Sequence, residues 1–359
     1  MHRRGPFRPG ERVQLTDYKG RHYTISLTRD GYFQSTRGNI RHDELIGLPE
    51  GSTIASESGH RFLALRPLLS DYVLSMPRGA TVVYPKDAGQ IIEEADIFPG
   101  ARVFEAGAGS GALSISLLQA AGAQGQLISA EQRADFAEIA WGNVTSWWGE
   151  EPPNWDLRVG DASEVLNSFE PGWFDVVVLD MLAPWDHVEA IGRALRSGGV
   201  VVVYVTTTTQ LSRYAETVKD TGGFTEPISS ETMRRTWHTE GLAVRPDHRM
   251  IGHTGFLCRA RRLAPGTEPL RESRRPAKGA YAEPVPGASW TSEDFGERDI
   301  APKKLRKVRR DVAHRADVEA TGSDLPGPRG RKIAERLEAE ANERLARRDA
   351  EASERQRER

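Results

Sequence analysis

The spacing of apolar residues changes several times along the chain, and each change marks an element. Between residues 10 and 65, apolar and polar positions alternate in short runs: Arg12 to Leu15, His22 to Leu27 and Tyr32 to Ser35. Asp30-Gly31 and Arg37-Gly38-Asn39 supply turns, so residues 1–65 predict a small β-rich, barrel-like domain. A packing or oligomerisation module and a substrate-binding appendage are equally compatible with it. Arg66-Pro67 then opens a helical stretch from Leu68 to Met76, and a second helical pattern runs through Ile91, Ile92 and Ala95. These form a connecting segment over 66–100. From residue 101 the pattern becomes continuous apolar runs separated by amphipathic ones. Val103 to Ala106, Gln126 to Glu131, Asp156 to Asp161, Phe174 to Asp180 and Val200 to Val205 read as strands. Runs of this kind indicate a parallel sheet covered on both faces. Strands around Thr232–Trp237 and Gly255–Arg261 complete it, the last of them antiparallel, over a domain of residues 101–264. The expected class is α/β, a Rossmann-like doubly wound sheet.

Composition changes the picture at the C-terminal end. Beyond residue 265, Pro, Gly, Arg and Glu dominate and aromatics are few, so 265–359 reads as a charged, largely disordered tail. It contains a basic cluster, Lys303 to Arg310, and ends in a mixed-charge stretch from Arg331 that reads as a solvated helix. The tail is a solubilising extension or an auxiliary RNA contact. Formal net charge is −2 over 359 residues, so any footprint for a nucleic acid must be local. A single cysteine, Cys258, precludes an intramolecular disulfide framework and suits a reducing compartment. The basic start is not followed by an apolar stretch, and no apolar run reaches the ~20 residues of a membrane helix. A cytoplasmic protein is expected. No Cys/His spacing points to a metal.

The chemistry concentrates around Glu105-Ala106-Gly107-Ala108-Gly109-Ser110-Gly111-Ala112, where an apolar strand ends on an acid and turns into a helix. Glycines let backbone approach a ligand, and the helix start offers free N–H donors. The loop alone satisfies a loose dinucleotide pattern, and Glu131 lies where a ribose-binding acid belongs, so NAD and S-adenosylmethionine both remain open at this point. Three further acids tilt the balance. Glu105 precedes the glycines, Asp161 ends the third strand of the series, and Asp180 opens Asp180-Met181-Leu182-Ala183-Pro184-Trp185 at the end of the fourth. This order matches class I methyltransferases. Glu131 would accept both ribose hydroxyls of the methyl donor and Asp161 its adenine amine. The alternative for each acid is a strand-ending helix cap.

From about His60 to Leu263 the chain resembles the class I tRNA (adenine-N1)-methyltransferases acting on adenosine 58 of the T loop, in their bacterial and archaeal form. The resemblance rests on Arg66-Pro67, Tyr84-Pro85-Lys86-Asp87, the glycine loop, Asp180 to Trp185, and Gly252-His253-Thr254-Gly255-Phe256-Leu257. It implies S-adenosylmethionine as methyl donor, tRNA as substrate, and assembly as a homotetramer. The competing functions are a methyltransferase for a protein or small-molecule acceptor and a Rossmann NAD-dependent enzyme. Within the family reading, Asp180 accepts from the target adenine's N6–H and stabilises positive charge on the ring; otherwise it caps the helix containing His187. Tyr84 or Trp185 stacks on a flipped base, or fills the core. His253 belongs to the substrate pocket or is structural. Trp141, Trp147 and Trp148 are packing or interface residues. Arg234, Arg235, Arg245 and Arg249 are candidates for phosphate contacts.

Overall fold

The computed structural model describes residues 4–79 and 81–270, and the expected tail from residue 271 onward, with its basic cluster and terminal helix, lies outside them. The first 65 residues form β1 (Arg12–Thr16), β2 (His22–Ser26), β3 (Tyr32–Phe33), β4 (Ile40–Arg41), α1 (His42–Leu45), β5 (Thr53–Ala55) and β6 (Arg61–Leu65). Four strands make an antiparallel sheet in the order β2-β1-β6-β5, with β3 and β4 as a separate ribbon. The barrel-like closure expected from the sequence is therefore not displayed: β2 and β5 stay unpaired as edges. The alternation read from the sequence is still what builds the domain. Val13 and Leu15 of β1 and Phe62 and Ala64 of β6 bury against Phe7, Leu27, Ile40 and Leu45. Arg12 fastens this domain to the next, donating to Ser146 Oγ from Nε (3.1 Å) and Nη2 (2.6 Å) and lying over the Tyr72 ring.

Two helices follow, α2 (Leu69–Ser75) and α3 (Pro85–Glu94), the latter started by Pro85, whose missing N–H costs nothing at a first turn. The sheet then alternates with helices: β7 (Arg102–Ala106), α4 (Ala112–Ala121), β8 (Gln126–Glu131), α5 (Ala134–Trp148), β9 (Trp155–Val159), α6 (Ala162–Asn167) and β10 (Phe174–Asp180). A short 3-10 turn, Pro184–His187, leads to α7 (Val188–Ala194), β11 (Leu195–Val205) and α8 (Thr208–Asp220). The last strands are β12 (Ile228–Ser230), β13 (Trp237–Glu240), β14 (Ala243–Pro246) and β15 (Phe256–Arg261).

The large sheet has the order β12-β15-β11-β10-β7-β8-β9. Its β15 runs antiparallel to β11, as expected. The strand expected around Thr232–Trp237 is displaced. Residues 228–230 join the sheet edge, and Trp237–Glu240 pairs instead with β14 in a separate two-stranded ribbon. With polar residues at Thr232, Arg234, Arg235 and Thr236, this stretch has no apolar face to bury in a sheet.

Period-two alternation sorts side chains to the two faces. Val176 and Val178 of β10 and Val200 and Val202 of β11 pack with α3, α4 and α5. Val177, Leu179, Val201 and Val203 pack with α6, α7 and α8, together with the buried thiol-bearing Cys258. The strands around β7 are parallel, and the strand order reverses there: β8 and β9 lie on one side of it, β10 and β11 on the other. Such a switch point opens a crevice at the carboxyl ends of the strands.

Candidate active site

The crevice between the ends of β7 and β10 receives the glycine loop. Gly107 has φ +82°, a left-handed conformation natural to glycine, and a Cβ there would run into the Asp180 carbonyl oxygen. The loop is thus pressed against the end of β10. Glu131, at the end of β8, holds it from the other side. Its Oε2 accepts from the Gly109 N–H (2.8 Å) and its Oε1 from the Arg133 N–H (3.0 Å). Each oxygen retains a lone pair for a further donor. Asp161 caps α6, its Oδ1 accepting from the Ser163 N–H (2.8 Å) and the Glu164 N–H (3.2 Å), which leaves Oδ2 free. The helix-cap reading of this acid is therefore correct, and it does not use up the carboxylate.

Glu105 lies beneath the loop with no solvent exposure. Its Oε2 accepts from Ser114 Oγ (2.7 Å) and Ser129 Oγ (2.6 Å), while Oε1 has no partner among the described residues. Burial pushes its carboxyl up to about 7, against the two serine hydrogen bonds and with a push from Glu131. The Ser110 hydroxyl in the loop is also buried and unpartnered. Unsatisfied buried polar groups of this kind call for a missing polar ligand or water. With a backbone cradle, a ribose-type carboxylate and a buried acid, the residues fit a nucleoside carrying a cationic amino-acid arm, which is the make-up of S-adenosylmethionine.

Asp180 ends β10, and its side chain follows Val176 and Val178 onto the α3 side of the sheet. It caps neither following helix: Ala183 precedes the 3-10 turn and His187 precedes α7. No described residue hydrogen-bonds its carboxyl. Burial pushes that carboxyl up to about 7, with Glu105 and then Glu131 adding to the shift. Its registered neighbour on β11 is Tyr204, which lies on the same face. Burial raises the Tyr204 phenol, partly opposed by the Thr254 hydroxyl beside it, and Asp87, Asp180 and Tyr84 all act on it in the same direction as burial. Gly255 permits this crowding, because a Cβ there would run into the Tyr204 ring.

Tyr84 is half-buried at the start of α3, next to a network that sequence reasoning did not assemble. Lys86 Nζ donates to Asp87 Oδ1, the Thr232 carbonyl and Thr254 Oγ1, each at 2.6 Å. Thr254 Oγ1 in turn donates to Asp87 Oδ2 (2.7 Å). The Tyr-Pro-Lys-Asp and Gly-His-Thr-Gly blocks, remote in sequence, thus meet in one clasp. The apolar run Val200 to Val205 was the only signal for Tyr204, and it carried no chemical label.

Two further candidates are engaged by partners from other elements. Trp185 packs against the α6–α8 face and lies under the Arg213 guanidinium, 4.1 Å from its ring centre. His253 has both ring nitrogens engaged, Nδ1 with Glu231 Oε1 (2.6 Å) and Nε2 with the Thr206 carbonyl (3.0 Å). Two acceptors suit an imidazolium, and the Glu231 hydrogen bond, followed by that of Thr206, raises its pKa. Trp147 is buried against Tyr72, whereas Trp141 is exposed. Arg234, Arg235, Arg245 and Arg249 are all exposed around the β13–β14 ribbon. Among the described residues, no group of three or more His, Cys, Asp or Glu could hold a metal ion, and no helix is long and apolar enough to cross a membrane.

Comparison with known proteins agrees with this geometry. Residues 5–54 match the family model "TrmI-like N-terminal", and residues 62–242 match "tRNA methyltransferase complex GCD14 subunit". The chain is 32% identical over 248 residues to the tRNA (adenine(58)-N(1))-methyltransferase TrmI of Thermus thermophilus, covering 69% of this chain and 95% of that one. It is also 32% identical over 270 residues to the tRNA (adenine(57)-N(1)/adenine(58)-N(1))-methyltransferase of Methanocaldococcus jannaschii, covering 69% and 93%. Among solved structures, a SAM-dependent O-methyltransferase of Thermotoga maritima superposes with TM-score 0.68 at 28% identity, covering 73% of this chain and 96% of that one. The tRNA (m1A58) methyltransferase TrmI of Aquifex aeolicus superposes with TM-score 0.64 at 26% identity, covering 72% and 100%. The chain belongs to the tRNA (adenine-58 N1)-methyltransferase family.

Proposed function

We propose that this protein transfers a methyl group from S-adenosylmethionine to N1 of adenosine 58 in the T loop of tRNA, giving 1-methyladenosine. The observation that carries this reading is the 32% identity spanning 95% of the Thermus enzyme. The donor, when bound, supplies an electrophilic methyl on a sulfonium. Gly107, Ala108, Gly109, Ser110 and Gly111 cradle it, Glu131 accepts from its ribose hydroxyls, and the free Oδ2 of Asp161 accepts from its adenine amine. The unpartnered Oε1 of Glu105 lies below the cradle as a counter-charge for the cationic arm.

Adenine N1 has a free lone pair at neutral pH, so no proton must leave before attack. Methylation leaves the ring cationic and its N6–H a stronger donor. Asp180, unpartnered and half-buried, accepts from that N6–H and stabilises the charge as it forms. Tyr84, which like Asp180 acts on Tyr204, offers the face on which an extruded base restacks. Trp185 and His253 support the site through their partners Arg213, Glu231 and Thr206.

We further assign residues 1–65 to an appended domain, 66–100 to a connector and 101–264 to the methyl-transfer domain. Assembly as a homotetramer in the cytoplasm follows from the same reading. The β13–β14 ribbon supports it by exposing Trp237, Leu242 and Val244, with Met233, Met250 and Ile251 on its stems. The test is transfer of labelled methyl to an unmodified tRNA transcript, followed by nucleoside analysis. Label in 1-methyladenosine that disappears from a transcript with guanosine at position 58 is expected. Label elsewhere, or none, overturns the reading.

A further inference from the structure

The methyl-transfer region has the wrong overall charge for its substrate. Residues 66–270 contain 17 Lys or Arg against 26 Asp or Glu, whereas residues 1–65 contain ten against seven. A polyanion is repelled by the first and attracted by the second, so the grip on tRNA must be local, and the N-terminal domain is the described region whose net charge favours it.

Four of these ten cations, Lys19, Arg21, Arg37 and Arg61, gather at one end of the sheet, beside the acids Asp17 and Glu57. The β1–β2 turn, residues 17–21, and the β5–β6 turn, residues 56–60, lie at the same end, because Thr16 pairs with both His22 and Leu63. The β3–β4 connection bridges them. The Arg37 carbonyl accepts from Ser56 Oγ (2.5 Å) and from Ser58 Oγ, and its guanidinium lies 4.5 Å from the Tyr18 ring centre. Lys19 Nζ lies 5.7 Å from that ring centre. Buried Asp17 sets the geometry, accepting from the Lys19 N–H (2.8 Å), the Arg21 N–H (3.1 Å) and Arg21 Nε (2.8 Å), with Arg37 Nη1 at 3.8 Å. Tyr18 itself is 73% exposed, although a tyrosine ring is costly to leave in water. Arg61 is exposed beside this turn, and neither its guanidinium nor Lys19 Nζ has an ion-pair partner among the described residues. The result is an exposed aromatic ring flanked by cations, the combination that binds RNA backbone and unstacked bases.

Arg12, at the opposite end of β1, is the residue docked on Ser146, and the strand carries the turn roughly 13 Å beyond it.

We propose that this turn end, built from Tyr18, Lys19, Arg37 and Arg61 around Asp17, holds the phosphate backbone of substrate tRNA at a distance from the adenosine being methylated. The proposal rests on the tRNA reading above. It separates two tasks: the crevice recognises one base, and the turn end supplies ionic hold on the remainder of the molecule.

The test is steady-state methylation of full-length tRNA by the full chain at 50–200 mM salt. Wild type is compared with K19E/R61E and with Y18A, and the donor Kd is measured in parallel. The expected result is a KM for tRNA raised about tenfold in K19E/R61E, with kcat and donor Kd within twofold. The fall of log kcat/KM with log salt should also become shallower by about 1–2, as for the loss of one or two phosphate contacts. Y18A should raise KM severalfold and leave the salt slope unchanged. An unaltered KM and slope in K19E/R61E overturns the proposal. So does a change in sedimentation of the variants, which would make the patch a contact between copies of this chain. Absence of transfer by wild type would instead refute the tRNA reading.

Discussion

The two sides of the crevice are built by different means. On the donor side, β7 and β8 deliver a backbone loop and two buried carboxylates within 27 residues of chain, held by short-range bonds such as Glu131 to the Gly109 N–H. On the acceptor side, Asp180 and Tyr204 stand on neighbouring strands, and the elements around them are tied by Lys86, whose Thr254 partner is 168 positions away. The donor side is rigid because its backbone has little freedom. The acceptor side is rigid only as long as its side-chain clasp is intact. Substitutions on the first side should therefore strike donor binding, and substitutions on the second should strike turnover.

The largest effect on this division is expected from G107A. An alanine must hold a left-handed φ and meet the Asp180 carbonyl, so one to a few kcal/mol of strain lowers donor affinity about 10- to 100-fold. Calorimetric titration with S-adenosylhomocysteine checks this. Donor affinity unchanged by G107A would break the claim that the loop is pressed against β10.

K86M attacks the other side. Removing the cation leaves the 1%-exposed Asp87 carboxyl with Thr254 as its remaining side-chain partner, a loss of about 3 kcal/mol for a buried pair. The thermal midpoint should fall by several degrees and kcat by about tenfold, while donor Kd stays within threefold. Loss of donor binding at unchanged kcat would reverse the assignment of sides.

Protonation sharpens the comparison. Glu105 is raised in the folded state to about 7 from an ordinary value of 4.5. The folded protein therefore binds the extra proton, and this group's contribution to stability falls as pH rises from about 4.5 to about 7. E105Q should remove that loss and raise the ligand-free midpoint at pH 8 by a few degrees, while weakening donor binding about tenfold. Thermal melts with and without S-adenosylhomocysteine separate the two effects. Asp180 is likewise raised to about 7, so kcat/KM should climb through that pH as its carboxylate forms, and D180N should lose this limb.

The smallest effect concerns His253, which ties Thr206 to Glu231 across the base of the β13–β14 arm. Its pKa is raised by those acceptors, so the tie is complete below about 6.5 and weakens as pH rises through the higher folded value. Amide exchange at residues 231–236, corrected for intrinsic rate, should accelerate modestly at alkaline pH, and H253Q should abolish the pH dependence.

How much was legible in the sequence follows the same divide. The glycine loop, Glu131 and Asp161 are local patterns of strand, turn and acid, so period and spacing place them at one sheet edge. Asp161 also shows that helix cap and ligand acceptor are compatible roles, because a carboxylate has two oxygens. Tyr204 was seen only as part of a β-branched run, since side-chain alternation says which face it takes but not what awaits it. The Lys86–Asp87–Thr254 clasp depends on how α3 lies against the loop before β15, which no local period encodes. Trp185 and His253 carry suggestive chemistry, yet Arg213 and Glu231, the partners that occupy them, come from other elements. The misplaced strand at Thr232–Trp237 has a different cause: the stretch has no apolar face, and pairing begins only at Trp237. In the N-terminal domain alternation found β1, β2 and β3, and neither β4, β5 and β6 nor the open order in which the strands pair.

The central claim is that Asp180 serves the base while the donor is held independently of it. Turnover and donor Kd measured side by side for wild type and D180A on tRNA test this most directly. A kcat lower by about 10²–10³ with donor Kd within threefold is the expected result. A kcat within a few-fold of wild type, or a joint collapse of both quantities, would contradict it.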